Sequence, residues 1–229
     1  MTDAPPDAAS VEMSHLFAQF ESLGDNCEFG FVQKQAGALN ISLLRWAGIS
    51  YQGLLKGLAQ DFEGLFAFDR LAPVWTDMVA DREYGVSFHT QFKIATVDGR
   101  HAFAEAPEAL VVTYAKEAAR IALLRRKFIE DLDTGERIYV YKHKAAITPA
   151  ELDALKAGLD RRRPQRLLCV APEGPWHAAG RVMLVRDGLK LGALARFAPP
   201  ERTQDGDFDN WVSICRAAAG TPWRTAAKA

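Results

Sequence analysis

Residues 137–172 alternate between strand, helix and strand patterns, and this order limits the fold more than any other feature of the chain. The run RIYVYKH, from Arg137 to His143, predicts a strand, and RLLCVAP predicts a second, buried strand. Between them, TPAELDALKAGLDRRR predicts a helix, with Thr148 as its N-cap and Pro149 at its first position. Two strands joined by a crossover helix pair in parallel. The pattern therefore predicts an α/β fold.

Other segments predict antiparallel hairpins and further helices around this parallel unit. Apolar and polar residues alternate strictly from Val86 to Ile94, which indicates a half-buried strand. The pairs Asp98-Gly99 and Asp187-Gly188 each mark a tight hairpin turn. Pro107 opens a long helix, and DFDNWVSICRAAAG predicts a closing one. We therefore predict a mixed sheet, made of a parallel βαβ unit plus antiparallel hairpins and flanked by helices.

The length of 229 residues suits one large domain. We predict a flexible tail over residues 1–12, a single α/β domain over residues 13–216 and a second flexible tail over residues 217–229. The apolar residues from Leu16 to Leu23 predict the first strand of the domain.

Charge and cysteine content narrow the classes of partner and compartment. The 28 basic and 29 acidic residues give a formal net charge of -1, so we expect no nucleic-acid partner. No stretch approaches 18 uninterrupted apolar residues, and the first residues carry no signal-peptide pattern, so we expect no membrane insertion. Three widely spaced cysteines argue against a disulfide framework. These features predict a cytoplasmic protein.

One cysteine lies where its reactivity can be tuned. In the run FESLGDNCEFGFVQKQAG, Gly24 ends the predicted strand, and Asp25 with Glu28 forms a D-x-x-E capping box. This places Cys27 near the second position of a helix, where the aligned peptide dipoles favour the thiolate. The two nearby carboxylates raise the pKa of a thiol unless a cationic partner offsets them. A lone cysteine is more often a buried small hydrophobe, so a catalytic interpretation needs a histidine.

The best histidine partner is His89, because strand alternation turns Phe88 toward a core and His89 toward the polar face. An imidazole there can reach a helix start, although a solvent-facing strand histidine is the simpler interpretation. His101, after a hairpin turn, and His143, at the end of a strand of the βαβ unit, are alternatives. Weaker candidates are His15 and His177.

A third group that orients the histidine would be an Asp, Asn or Glu. The segment Asp205–Asn210 and the turn residue Asp98 are the candidates, although helix capping and turn formation already explain both. The motifs of common zinc and phosphate-binding sites are absent, and we expect neither a metal nor a cofactor. Lys116 and Arg120 lie one turn apart on the long helix and form a basic face that suits an acidic substrate.

Several blocks together resemble a known family. SLGDNCEFGFVQ, LLRWAG, YGVSFHTQF and the helix with Lys116 and Arg120 before RIYVYKH resemble a bacterial family of unknown function described as papain-like cysteine peptidases, over about Phe20–Val170. The resemblance implies that Cys27 is the nucleophile and His89 the base. By association it implies a setting of bacterial surface-polysaccharide biosynthesis. Two features depart from it: SLLRWAG replaces a Pro-Phe-Asp-Trp block, and the βαβ pattern favours an α/β sheet over the papain architecture.

These observations leave two hypotheses. The first is a thiol-dependent hydrolase or acyl transferase, in which N–H groups around Asn26 to Glu28 hold the oxyanion and the substrate is a peptide, an isopeptide or a thioester. The second is a non-catalytic accessory protein that binds a glycan or phosphosugar through the same cleft and the basic face of Lys116 and Arg120. The sequence leaves the oligomeric state open.

Overall fold

The computed structural model of the chain describes residues 7–143, 147–175 and 177–224. Within these residues the chain forms an α/β fold with helices on both faces of a mixed sheet. The helices are α1 (Ala8–Ala18), α2 (Glu28–Gln35), α3 (Tyr51–Ala59), α4 (Pro107–Thr134), α5 (Pro149–Asp160) and α6 (Phe208–Gly220). The strands are β1 (Phe20–Ser22), β2 (Ala47–Ile49), β3 (Leu71–Trp75), β4 (Met78–Asp81), β5 (Val86–His89), β6 (Ile94–Val97), β7 (Arg100–Phe103), β8 (Ile138–Lys142), β9 (Arg166–Pro172), β10 (Val182–Arg186) and β11 (Leu189–Leu194).

The largest sheet has the strand order β1-β8-β9-β11-β10. Strands β1, β8, β9 and β11 run parallel, and β10 pairs antiparallel with β11 at one edge. The predicted βαβ unit is confirmed as β8-α5-β9, and Thr148 with Glu151 caps α5 in a complete capping box. The predicted mixed sheet of a parallel unit plus antiparallel hairpins is therefore confirmed.

Residues on the two faces of this sheet pack into separate hydrophobic clusters, which is why its strands read as continuous apolar runs. On β8, Ile138 and Val140 face the cluster formed with α1, α2 and α6, whereas Tyr139 and Tyr141 face the cluster formed with α3, α4 and α5. The alternation follows from the two-residue period of a strand. Cys169 and Cys215 are fully buried in these clusters and act as small hydrophobes.

A second sheet, with the order β2-β5-β4-β3, is antiparallel and packs against the cluster that is formed with α3, α4 and α5. Phe88 on β5 is buried and His89 is exposed, as predicted. The strand is shorter than the predicted Val86–Ile94, because the Gln91 N–H leaves the ladder and donates to the carboxylate of Glu117 at 3.1 Å. The predicted turn at Asp98-Gly99 joins β6 to β7.

The predictions for the two ends of the chain need correction. Helix α1 occupies residues that we predicted as a tail and as the start of a strand, because Asp7 caps it and Phe17 is wholly buried against the core. The first strand is consequently only three residues long. Helix α6 continues to Gly220, past the predicted boundary at residue 216. Residues 1–6 and 225–229 lie outside the described residues, and the single domain over residues 13–216 stays a prediction.

The helices of the protein can be compared with the length and hydrophobicity that a membrane-spanning helix needs. Helix α4 has 28 residues, yet neither it nor any other helix in the described ranges is apolar enough over a sufficient length to cross a bilayer.

Strand β1 carries a carboxyl group that is sealed inside the protein. Glu21 is 1 % exposed and accepts a short hydrogen bond from the hydroxyl of Ser42. Burial raises the pKa of Glu21 to about 7, against the lowering effect of that bond. Its protonated form is therefore the favoured one in mildly acidic solution.

This buried carboxyl gives the protein a pH-dependent stability. The folded state keeps a proton that the unfolded chain, with a carboxyl pKa near 4.5, has already lost. The free energy of unfolding should therefore fall by about 2–3 kcal/mol as the pH rises from about 5 to about 8. Urea denaturation across this range measures the slope, and Glu21→Gln, which cannot titrate, should remove this part of it. An equal slope in the variant would show that Glu21 is not the group responsible.

Candidate active site

A tight turn after β1 places Cys27 at the start of α2. Gly24 and Asp25 both have positive φ angles, 87° and 77°. A Cβ atom on Gly24 would lie 2.5 Å from the Cγ2 atom of Ile49, so only glycine fits there. The turn makes Cys27 the N-cap residue of α2 rather than its second residue. Glu28 then begins the helix.

The predicted capping box between Asp25 and Glu28 does not form. The amide oxygen of Asn26 accepts the Glu28 N–H at 3.0 Å instead. The Glu28 carboxylate points into the protein, where it is fully buried and accepts the indole N–H of Trp211 at 3.3 Å. Of the N–H groups around Asn26 to Glu28 that we expected to hold an oxyanion, that of Glu28 is therefore already occupied, and the role of the others stays a prediction.

A buried lysine holds this turn in place. Lys142 is the last residue of β8, and its side chain is 2 % exposed. Its ammonium contacts the Oδ1 atom of Asn26 at 2.9 Å, an oxygen of Glu28 at 2.8 Å and an oxygen of Asp25 at 3.1 Å. The first two contacts are hydrogen bonds, and the contact with Asp25 is an ion pair. The sequence analysis missed Lys142, although a lysine inside an otherwise apolar strand next to an acidic turn was a usable signal.

The electrostatic environment of Cys27 differs from the prediction. We expected a helix start to favour the thiolate, but burial raises the pKa of the Cys27 thiol. The positive charge of Lys142 opposes this rise, and the negative charge of Asp77 adds to it. Lys142 is thus a cationic partner that offsets the carboxylates of the turn. The direction of this shift disfavours the thiolate form of Cys27.

The imidazole of His89 faces this sulfur. The Sγ atom of Cys27 lies 4.0 Å from the Nε2 atom of His89, and the Nδ1 atom of His89 lies 2.8 Å from the Oδ2 atom of Asp77. A carboxylate only accepts, so Nδ1 carries a proton, and in the neutral imidazole Nε2 is then the acceptor that faces the thiol. The sequence-predicted pair of Cys27 and His89 is therefore brought together by the fold.

The third group is Asp77, which the sequence analysis did not consider. It lies in the turn between β3 and β4, and the pairing of Met78 with His89 places this turn beside the end of β5. The Thr90 N–H donates to the backbone oxygen of Asp77 at 2.9 Å and fixes the turn. The expected third residues, in Asp205–Asn210 or at Asp98, are wrong, because the imidazole N–H is already bound by Asp77.

The other histidines of the chain lie elsewhere. His101 contacts Thr96 at 2.9 Å, His177 contacts the backbone oxygen of Leu191 at 3.2 Å, and His15 lies on α1. His143 is bound to β9 through its backbone N–H. None of these four lines the cleft that contains Cys27.

An ion pair on α4 fixes the position of His89. Glu117 is 4 % exposed and accepts two bonds from Arg120, at 2.6 and 2.9 Å. Arg120 also donates to the backbone oxygen of His89 at 2.9 Å, while Glu117 accepts the Gln91 N–H. The structure therefore separates the predicted basic pair, because Arg120 lines the cleft and positions the histidine strand, whereas Lys116 is exposed and does not line it.

These residues surround one open cleft with a volume of about 620 Å³. Its walls come from α2, the segment over residues 42–46, the end of β5 and the middle of α4. Its size is in the range of small-molecule and peptide sites. Among the residues that the structure describes, no three His, Cys, Asp or Glu side chains are grouped so that they could hold a metal ion.

Comparison of the chain with protein-family models, with curated proteins and with solved structures finds no match. The resemblance to papain-like cysteine peptidases therefore stays a prediction from the sequence. The chemistry of the site has to be argued from its own geometry.

Removing the amine of Lys142 should destabilise the protein and disturb the cysteine turn. Lys142→Met leaves the carboxylate of Glu28 buried without a counter-charge, which typically costs about 3–5 kcal/mol. We expect this loss in the free energy of unfolding, measured by urea denaturation. The double variant Lys142→Met/Glu28→Gln, which removes both buried charges, should recover roughly half of it. A single variant as stable as the wild type would contradict the role of Lys142.

Proposed function

We propose that this protein is a thiol-dependent hydrolase or acyl transferase, with Cys27 as nucleophile and His89 as base. The observation that carries the proposal is the continuous line of contacts from sulfur to imidazole to carboxylate, at 4.0 and 2.8 Å. Nucleophile, base and orienting group in this order are the arrangement of cysteine and serine acyl-transfer enzymes on unrelated folds. A structural cysteine would need neither an imidazole nor its carboxylate.

The reaction begins with transfer of the Sγ proton of Cys27 to the Nε2 atom of His89. The sulfur attacks the substrate carbonyl, and a C–S bond forms while the carbonyl oxygen becomes an oxyanion. The tetrahedral intermediate collapses, the leaving group takes the proton from Nε2, and a thioester remains on Cys27. Water, or another acceptor in a transferase, gives its proton to His89 and attacks the thioester, which releases the acyl group and restores the thiol. Asp77 stabilises the imidazolium in both steps.

In this proposal, backbone N–H groups at the start of α2 donate hydrogen bonds to the oxyanion. The first N–H groups of a helix have no partner within the helix, and Cys27 provides no side-chain cap for them. Glu28 is excluded because its N–H donates to Asn26. The partial positive charge at a helix start favours a developing oxyanion next to the sulfur.

The accessory-protein hypothesis has less support. It relied on a basic face of Lys116 and Arg120, but Lys116 does not line the cleft and Arg120 is paired with the buried Glu117. A role in surface-polysaccharide assembly remains a proposal from resemblance alone. Cytoplasmic location is also proposed, because all three cysteines are free and a thiol nucleophile needs reducing conditions.

Loss of the imidazole should slow the reaction of Cys27 with iodoacetamide. At about pH 7.5, His89→Ala should react at least about tenfold more slowly than the wild type, because the variant lacks the group that takes the thiol proton. In the variant only the thiolate reacts. Since burial raises the pKa of the Cys27 thiol above its ordinary value of 9.0, the rate of the variant should still be rising at pH 9, and the difference from the wild type should shrink there. Mass spectrometry of the alkylated peptide measures the rate at Cys27 alone.

His101→Ala is the matched control, because His101 is likewise a strand histidine but contacts Thr96 away from the cleft. It should react like the wild type. Wild-type alkylation no faster than that of His89→Ala, or of a small free thiol, would refute the thiol-enzyme proposal and favour a binding function.

A further inference from the structure

The cleft at Cys27 continues into a second cavity of about 490 Å³. The two cavities share five lining residues, so they form one groove: Lys34, Ser42, Trp46, Arg120 and Leu124. The groove runs between α2 with the following segment on one side and α4 on the other. A substrate bound at the sulfur therefore has an obvious path for the rest of its chain.

Helix α2 sets the length of this path. Cys27, Phe31 and Lys34 are spaced by four and three residues, so they lie on one face of the helix. Seven residues at the rise of an α-helix separate Cys27 from Lys34 by about 10 Å along its axis. An extended peptide covers this distance in about three residues.

The groove is positively charged near Lys34, about 10 Å from Cys27 along the axis of α2. Lys34 is exposed and has no hydrogen bond or ion pair from its side chain to any described residue. Arg120, from the opposite wall, uses Nε and Nη2 for Glu117 and His89, which leaves Nη1 for a ligand. No described carboxylate lines the second cavity. An anionic group of the substrate would therefore meet the unpaired ammonium of Lys34 and the free Nη1 atom of Arg120, whose own charge is balanced in part by the buried Glu117.

Beyond the cations the groove is apolar and preformed. Leu39, Ile41 and Leu123 are 83 %, 54 % and 46 % exposed, which is high for large apolar side chains that line a cavity. The buried guanidinium of Arg45 fixes this wall by donating to three backbone oxygens, those of Gly30, Ala38 and Asn40.

On the basis of the thiol chemistry proposed above, we propose that the substrate is an extended peptide on the acyl side of the attacked carbonyl. This peptide carries an acidic side chain about three residues from that carbonyl. The residue that follows the acidic one, further from the carbonyl, carries an apolar side chain. The acidic side chain binds between Lys34 and Arg120, and the apolar one contacts Leu39 and Leu123. A simple fatty acyl chain would place methylene groups against Lys34 and against the Nη1 atom of Arg120, and it would give neither group a hydrogen-bond partner. The bound chain holds the acyl group in place during acylation and deacylation.

Peptides with a carboxy-terminal vinyl sulfone test this preference directly. The Cys27 sulfur adds to the β-carbon of the vinyl group, and the thiol proton is delivered to the α-carbon. The probes are acetyl-Leu-Glu-Ala-Ala-vinyl sulfone and the same peptide with Gln or Lys in place of Glu. Each labelling rate is divided by the iodoacetamide rate of the same variant, so that differences in sulfur reactivity cancel.

In the wild type the Glu probe should label Cys27 at least about tenfold faster than the Lys probe. Lys34→Glu should reverse this order. The control Arg181→Glu makes the same change in net charge at an exposed residue before β10, at the far edge of the sheet from β1, and should keep the wild-type order. Equal rates for the three probes, together with an iodoacetamide rate that depends on His89, would overturn the peptide proposal and leave the thiol chemistry standing. An iodoacetamide rate independent of His89 would overturn both.

Discussion

The arrangement of the site depends on the contacts that the buried ammonium of Lys142 makes with the turn that carries Cys27. Parallel pairing of β1 with β8 brings the end of both strands to one edge of the sheet, where ligands of α/β proteins usually bind. There the buried amine binds three side chains of the turn that carries Cys27. Without it, the carboxylate of Glu28 would be buried without a counter-charge. The strained turn and the start of α2 therefore have one defined geometry.

The reactive pair is assembled from parts of the fold that are far apart in the chain. Cys27 comes from the parallel sheet, whereas His89 and Asp77 come from adjacent strand ends of the antiparallel sheet. Helix α4 joins the two, because Glu117 and Arg120 bind the end of β5 and Arg120 also lines the cleft.

Local patterns predicted much of the fold, and the features that were missed depend on contacts between residues far apart in the chain. The βαβ unit, the turn at Asp98-Gly99 and the exposed side of His89 all follow from neighbouring residues in the chain. Lys142 and Asp77 do not. The amine of Lys142 binds residues more than a hundred positions away, and a lysine in a strand is ordinarily expected at the surface. Helix α1 was missed because its packing rests on the burial of Phe17 rather than on a regular apolar stripe.

The proposed chemistry requires that Asp77 act on the sulfur only through His89. A double-mutant cycle of alkylation rates measures this dependence most directly. We expect Asp77→Asn to slow the reaction of Cys27 with iodoacetamide about tenfold at about pH 7.5 in the wild-type background, and by less than about twofold when His89 is already alanine. An equal slowing in both backgrounds would show that the carboxylate acts independently of the imidazole, and would contradict the sulfur-imidazole-carboxylate arrangement as a working unit.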